Sequence, residues 1–145
     1  MSKVFCAKPF NHNYIHPNGK MRLCCTTIQD LPTDNNYNLF DASKHSIEDY
    51  WNSNRMKEIR RKMIAGEKIR DCERCYRQEE QGAESLRSTG GMDEFIMDTL
   101  PDGTYQESAT SMQIQLGNIC NLKCKMCSQM YSHMHGMETK EIGEQ

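Results

Sequence analysis

The sequence has little apolar material for its length. Hydrophobic residues make up 37% of its 145 residues, so we expect a thin core. Long hydrophobic runs are missing too: the start, Met-Ser-Lys-Val-Phe-Cys, does not resemble a secretory signal, and no later segment could span a bilayer. We therefore expect a cytoplasmic protein that has no membrane partner.

A large excess of charge of one sign is also missing. The formal net charge is −2, so the charge balance indicates neither a nucleic acid nor a membrane surface as a partner. The sequence does predict one basic helix face, which we expect to be solvated. It carries Arg55, Lys57, Arg60, Arg61 and Lys62. A zinc module that binds nucleic acid through residues 55–70 is a weaker alternative, and strongly salt-dependent binding would be its sign.

Cysteine, in contrast, is abundant, with eight residues. Because disulfides are rare in the reducing cytosol, these thiols are expected to be metal ligands or catalytic groups. Metal binding would also help a thin core, since the free energy of ligand binding then contributes to folding.

Three of the cysteines form a C-x3-C-x2-C run at Cys120, Cys124 and Cys127. An iron–sulfur cube normally takes four protein thiolates, so three would leave one iron open. The alternative is packing, because the same spacing fits a helical stripe and buried cysteines behave as small apolar residues. The preceding residues 111–116 alternate apolar and polar as a strand does, and Gly117-Asn118 breaks the pattern. A cluster loop at a strand end is therefore the favoured interpretation.

Four further cysteines can close a second site. A hairpin is predicted where residues 14–16 and 21–23 flank Pro17-Asn18-Gly19, and it brings Cys6 and Cys24 together. A C-x2-C turn adds Cys72 and Cys75. Adjacent residues of a strand point to opposite faces, so only one of Cys24 and Cys25 is expected to join this site. Cys24 is favoured and Cys25 is left over, with Cys25 in its place as the alternative. The spacing does not distinguish an iron–sulfur cluster from tetrahedral zinc at this site.

Local signals predict the helices. Residues 46–49 resemble a capping box, and a helix over residues 54–65 points Met56, Ile59, Met63 and Ile64 inward before Gly66 stops it. A polar helix follows the C-x2-C turn through residue 81, and a short helical piece covers residues 92–99. Arg70, Arg74 and Arg77 surround that turn, either as cations that stabilise an anionic cluster or as ordinary surface arginines.

The end of the sequence predicts one more helix. It would begin with Ser128 as its cap, run through Met134 and end at Gly136. His133 and His135 lie two positions apart and so on different helix faces, which makes them a poor pair of metal ligands.

Taken together, the motifs resemble a known family. The strand followed by Cys120, Cys124 and Cys127 is similar to the signature of radical S-adenosylmethionine (radical SAM) enzymes. Residues 4–88 resemble the SPASM/twitch auxiliary iron–sulfur domain found in many of them. The resemblance is carried by Pro17-Asn18-Gly19, Trp51-Asn52-Ser53, Glu84-Ser85-Leu86-Arg87 and the cysteines Cys6, Cys24, Cys72 and Cys75.

The resemblance implies an α+β fold in three parts. A small cysteine-rich SPASM/twitch-like domain, a β-hairpin plus helices, would occupy residues 1–88. A linker would cover residues 89–110, and residues 111–145 would be the first strand, cluster loop and helix of a radical SAM (β/α) barrel. A complete barrel of that kind takes roughly 250 residues. We therefore expect the chain to be the front of a longer enzyme and to be nearly inactive alone.

The resemblance also implies two 4Fe–4S clusters. Cys120, Cys124 and Cys127 would hold the open cluster, which binds S-adenosylmethionine and cleaves it reductively to a 5′-deoxyadenosyl radical. Met126 occupies the position that is often aromatic and touches the adenine. Cys6, Cys24, Cys72 and Cys75 would hold the auxiliary cluster. The expected partners are S-adenosylmethionine and an electron donor such as flavodoxin or ferredoxin; the substrate is left open, with a peptide as one candidate. The alternative function is a non-catalytic 4Fe–4S or zinc module that docks to a partner.

Overall fold

The structure, a computed structural model, describes residues 4–27, 39–87, 93–129 and 131–143. The helices are α1 (Lys8–Asn11), α2 (Ile47–Trp51), α3 (Asn54–Ala65), α4 (Glu73–Glu80), α5 (Asp93–Met97) and α6 (His133–Gly143), with a 3-10 helix at Arg70–Cys72. The strands are β1 (His12–Ile15), β2 (Met21–Arg22) and β3 (Ser111–Ile114). This is the small mixed α+β architecture that the sequence predicted.

The predicted hairpin is formed by β1 and β2. They pair antiparallel, with Tyr14 opposite Arg22 and Ile15 opposite Met21. Gly19 closes the turn in the left-handed region at φ 79°, where a side chain would be strained, and its N–H donates to His16 O at 2.8 Å. The sequence also predicts a loop over residues 29–45, which are rich in Asp, Asn, Pro and Thr. Residues 29–38 of this loop lie outside the described part of the chain.

The strand predicted before the three-cysteine run is confirmed over Ser111–Ile114. It pairs in parallel with β1, with His12 opposite Ser111 and Ile15 opposite Ile114, so the sheet order is β2-β1-β3. The strand that leads to the second cysteine group is therefore part of the same sheet as the hairpin. The three-part division of the chain stays a prediction.

Helices α2 and α3 begin where the sequence predicted. Ser46 and Asp49 form a reciprocal capping box at the start of α2, and the Ser53 hydroxyl accepts from Met56 N–H at the start of α3. Gly66 ends α3 with φ 80°. The predicted inward residues of α3 are confirmed: Met56, Ile59 and Met63 are completely buried, and Ile64 is partly buried against the same core.

The prediction that Arg60 lies on the solvated face of α3 is wrong. Its side chain is completely buried, with the guanidinium carbon 4.6 Å from the Trp51 ring centre and 5.6 Å from that of Tyr105. Nε donates to Pro9 O at 2.9 Å and Nη1 to Asn52 Oδ1 at 2.8 Å. Aromatic faces and oxygen acceptors replace water around this cation. Burial lowers the pKa of Arg60 to about 10, so the side chain stays charged at neutral pH.

Residues 99–110, which the sequence assigned to a linker, pack along α2 and α3. Trp51 Nε1 donates to Glu107 O at 2.8 Å, and Asn52 exchanges two hydrogen bonds with the Tyr105 backbone. A Cβ added to Gly103 would lie 2.2 Å from Lys57 O. The chain therefore returns to the core before β3 begins.

The helix predicted from Ser128 to Gly136 is wrong at both ends. Tyr131 N–H and Ser132 N–H both donate to Ser128 O at 3.0 Å, which makes a turn, and α6 starts at His133. The helix passes through Gly136 because a glycine inside a helix costs only about 1 kcal/mol. The short helical piece predicted over residues 92–99 is confirmed as α5. Among the described helices, none has the length and apolar character to cross a membrane.

Candidate metal centre

Three segments of the chain supply the cysteines of the predicted four-thiolate site. Cys6 precedes α1, Cys24 follows β2, and the third segment carries Cys72 at the end of the 3-10 helix and Cys75 in the first turn of α4. All four are at most 7% exposed, and all four are free thiols. Cys25, the neighbour of Cys24, is exposed. The fold thus separates these two adjacent thiols, one inside and one outside.

The four buried thiols converge on one region of the interior. Thr26 Oγ1 lies 3.1 Å from Cys24 Sγ and 3.7 Å from Cys75 Sγ. Burial raises the pKa of Cys72, and the nearby thiols of Cys6, Cys24 and Cys75 raise it further. Burial likewise raises the pKa of Cys6 to about 11, with smaller contributions from Cys24 and Cys75.

This donor set fits a thiolate-ligated group. A metal or cluster binds thiolates, so its binding would release protons from Cys6 and Cys72, whose pKa values burial raises. In the described ranges, no three His, Cys, Asp or Glu side chains are arranged so that they could hold a metal ion as they stand. The case for the site therefore comes from the burial and convergence of the four thiols.

The arginines around the C-x2-C turn are ordinary surface residues. Arg70, Arg74 and Arg77 are exposed, and Arg77 pairs with Glu73 one turn before it on α4. Arg87, in contrast, acts on this site. Burial raises the pKa of Cys6, and the positive charge of Arg87 partly offsets that rise. Sequence reasoning noted Arg87 only as part of a family-like run, because its distance from the cysteines along the chain gave no sign of the contact.

The three-cysteine run lies on a loop between β3 and α6. Cys120 and Cys127 are half-buried, Cys124 is exposed, and Cys127 N–H donates to Cys124 O at 2.9 Å. Met126, the residue that the family resemblance places near an adenine, is 97% exposed. The loop therefore presents its thiols near the surface, unlike the four-cysteine site.

Residues at the start of α6 hold this loop through its backbone. Cys120 N–H donates to His133 Nδ1 at 3.1 Å, and His135 Nε2 donates to Cys124 O at 3.0 Å. The Ser132 hydroxyl donates to Leu122 O at 3.1 Å. The two histidines, a poor ligand pair by their spacing, thus bind the peptide groups of the predicted ligands. Sequence reasoning missed this role, because it depends on where α6 begins.

The two cysteine groups leave the sheet at opposite ends. β2 runs antiparallel to β1, so Cys24, two residues past Arg22, returns toward the start of β1. β3 runs parallel to β1, so the loop with Cys120 leaves at the other end. The four residues of β1 alone span about 13 Å. The two sites are therefore distinct places in the fold.

Four buried thiols that converge on one region could supply the ligands of a thiolate-bound metal group. A comparison with family models names that group: residues 6–76 match SPASM, an iron–sulfur cluster-binding domain. The match covers just under half of the chain and contains Cys6, Cys24, Cys72 and Cys75, and it indicates iron–sulfur cluster binding. No curated protein and no solved structure matches the chain.

Proposed function

We propose that the chain is an iron–sulfur protein of the radical SAM type. Cys6, Cys24, Cys72 and Cys75 would hold an auxiliary 4Fe–4S cluster. One observation carries the proposal: the cysteines that the SPASM match spans include four that are buried together, while Cys25 is left outside. Four thiolates complete the coordination of a cube, and burial limits the access of solvent to it.

Cys120, Cys124 and Cys127 would hold the second, open cluster. Support comes from their position on a surface loop after a strand that pairs in parallel, since parallel strands with helical crossovers build (β/α) barrels. S-adenosylmethionine would occupy the open iron position and, with the reduced cluster, supply the 5′-deoxyadenosyl radical in the complete enzyme. The half-buried thiols of this loop would also be accessible to an electron donor such as flavodoxin or ferredoxin.

Anaerobic reconstitution of the full chain with iron and sulfide tests the proposal. We expect about eight iron atoms per chain, two cubes' worth, with broad visible absorbance and an EPR signal after reduction. A variant with Cys120, Cys124 and Cys127 replaced by Ala should bind half as much iron. Stoichiometric zinc with no visible absorbance would refute the proposal.

Addition of S-adenosylmethionine distinguishes the open site from a purely structural module. We expect it to shift the EPR signal of the wild-type chain and to leave the signal of the triple Ala variant unchanged. A non-catalytic docking module predicts no shift in either protein. This comparison separates the two functions because it reports ligand binding at iron without requiring the whole enzyme to be active.

A further inference from the structure

Arg87 lies eleven residues beyond the segment that matches SPASM, yet it reaches into the four-cysteine region. Its side chain is only 8% exposed. Nη1 donates to Phe5 O at 3.0 Å, and Phe5 immediately precedes Cys6. One end of the guanidinium is therefore fixed to the segment that carries the first ligand.

The guanidinium of Arg87 also contacts α4, the helix that carries Cys75. Nε donates to Glu79 Oε1 at 3.0 Å, and Nη2 forms an ion pair with Glu79 Oε2. The guanidinium carbon lies 5.0 Å from the ring centre of Tyr76, the residue after Cys75. Arg87 thus joins two segments, 69 positions apart at Cys6 and Cys75, that each contribute a thiol.

The contacts of Arg87 hold its guanidinium in one place and neutralise its charge. Burial alone would raise the pKa of Glu79, but its bonds to Ser85 and Arg87 hold that pKa below its usual value, so the carboxylate balances the guanidinium. Ser85 Oγ donates to Glu79 Oε1 at 2.5 Å and accepts from Arg87 N–H at 3.1 Å. A planar guanidinium can hold a carbonyl, a carboxylate and a ring at once, which a lysine ammonium cannot do in the same geometry.

We infer that Arg87 is a positioning residue for the four-cysteine site, which it assembles by tying the backbone before Cys6 to helix α4 beside Cys75. The inference depends on the proposed function, because the site is taken to hold an iron–sulfur cluster. Arg87 acts through the thiols and does not itself ligate the cluster. Since the geometry and not the charge performs this role, the conservative replacement by Lys is expected to fail.

The test compares Arg87→Lys and Arg87→Gln with the wild-type chain after anaerobic reconstitution. All proteins carry Ala at positions 120, 124 and 127, so that one cluster is observed. Arg77→Gln is the matched control, because Arg77 is exposed and also pairs with a glutamate on α4. The measurements are the rate at which a chelator bleaches the visible absorbance, the EPR spectrum of the reduced cluster, and far-ultraviolet circular dichroism to verify folding.

We expect bleaching to be at least fivefold faster in both Arg87 variants and unchanged in Arg77→Gln, with a broadened EPR spectrum that shows heterogeneous ligation. Full rescue by Arg87→Lys would overturn the inference, because charge alone would then suffice. Wild-type bleaching and EPR in Arg87→Gln would overturn it as well.

A milder variant, Glu79→Gln, covers the case in which the Arg87 variants do not fold. It keeps the contacts of Arg87 with Phe5 and Tyr76 and weakens the bonds of Arg87 and Ser85 to Glu79. We expect its bleaching rate to lie between those of the wild-type chain and Arg87→Gln, or, if the latter is unfolded, to exceed that of the wild-type chain. A rate equal to the wild-type rate would count against the inference.

Absence of any cluster in the wild-type chain would refute the proposed function and this inference together, whereas a wild-type cluster with unaffected variants refutes the inference alone.

Discussion

At the scale of single residues, two positions carry much of the packing between α3 and its neighbours. Arg60 places a cation among aromatic rings, and Gly103 lets the backbone of residues 99–110 approach α3 at a distance that no side chain allows. Neither residue is one of the candidate ligands. They therefore permit tests of the fold that leave the candidate ligands intact.

Replacement of Arg60 by Lys should lower the free energy of unfolding by about 3 kcal/mol or more. The lysine keeps a buried charge but loses the fork that reaches Pro9 O and Asn52 Oδ1, and a buried charge without its partners is strongly destabilising. Urea unfolding of the reconstituted chain measures the change. Arg61→Lys, at an exposed neighbour, should stay within about 0.5 kcal/mol. Equal effects at the two positions would contradict the buried placement of Arg60.

Replacement of Gly103 by Ala should be clearly more destabilising than replacement of Gly82 by Ala. Both glycines have positive φ, 88° and 79°, so each change costs about 1–2 kcal/mol of backbone strain. Only at Gly103 would the new Cβ meet backbone, at 2.2 Å from Lys57 O; at Gly82 nothing lies within 4 Å. The difference between their thermal midpoints therefore isolates the close approach to α3. Indistinguishable midpoints would mean that this approach is absent in solution.

At the scale of elements, α6 is the part that shapes the three-cysteine loop. Hydrogen bonds join the start of this helix to the backbone of the loop: His133 to Cys120, His135 to Cys124 and Ser132 to Leu122. The helix start therefore fixes the backbone that carries the thiols. The loop thus depends on a helix that follows it in the sequence. This dependence can be measured without any metal.

Replacement of His133 or His135 by Ala should speed amide hydrogen exchange in the segment 118–124 several-fold, because each change removes one hydrogen bond that holds the loop. Mass spectrometry of the peptides that cover this segment measures the rate. His16→Ala is the control, because the His16 ring hydrogen-bonds to Asn18 in the hairpin turn. Unchanged exchange in both loop variants would show that α6 does not hold the loop.

Local signals explain which elements could be predicted. The hairpin turn at Gly19, the capping box at Ser46 and the stop at Gly66 each depend on residues within one turn of the chain. The parallel pairing of β3 with β1 joins residues 99 positions apart, and no local pattern encodes it. Arg60 was misplaced because its surroundings come from three separate segments, at Pro9, at Trp51 and Asn52, and at Tyr105. Helical periodicity alone therefore assigned it to solvent.

In the candidate site, too, some residues could be predicted from local sequence and others could not. Cysteine spacing identified the residues Cys6, Cys24, Cys72 and Cys75, and the structure buries all four; whether each of them is a ligand stays a prediction. Arg87 and Thr26 could not be found from spacing, because neither is a usual cluster ligand and each reaches the site through the tertiary fold. Residues that position a site leave weaker sequence signals than residues that bind its metal.

At the scale of the whole molecule, one three-stranded sheet separates two cysteine groups of different character. The group at the start of β1 is buried and has four thiols, and the group beyond the end of β3 is close to the surface and has three. An apolar content of 37% leaves a modest core, so cluster binding is expected to contribute to folding at the buried group. The buried group of four thiols would suit a fully ligated auxiliary cluster, and the group of three near the surface would suit a cluster with one open iron.

The most direct test of the central claim is the iron content and EPR spectrum of four matched proteins after anaerobic reconstitution. The parent carries Ala at positions 120, 124 and 127, and Cys72→Ser, Cys75→Ser and Cys25→Ser are each added to it. We predict about four iron atoms per chain and a 4Fe–4S spectrum in the parent. The same result is expected with Cys25→Ser, and a loss of most iron with Cys72→Ser or Cys75→Ser. Zinc in place of iron, or a loss with Cys25→Ser as large as with Cys72→Ser, would contradict the account.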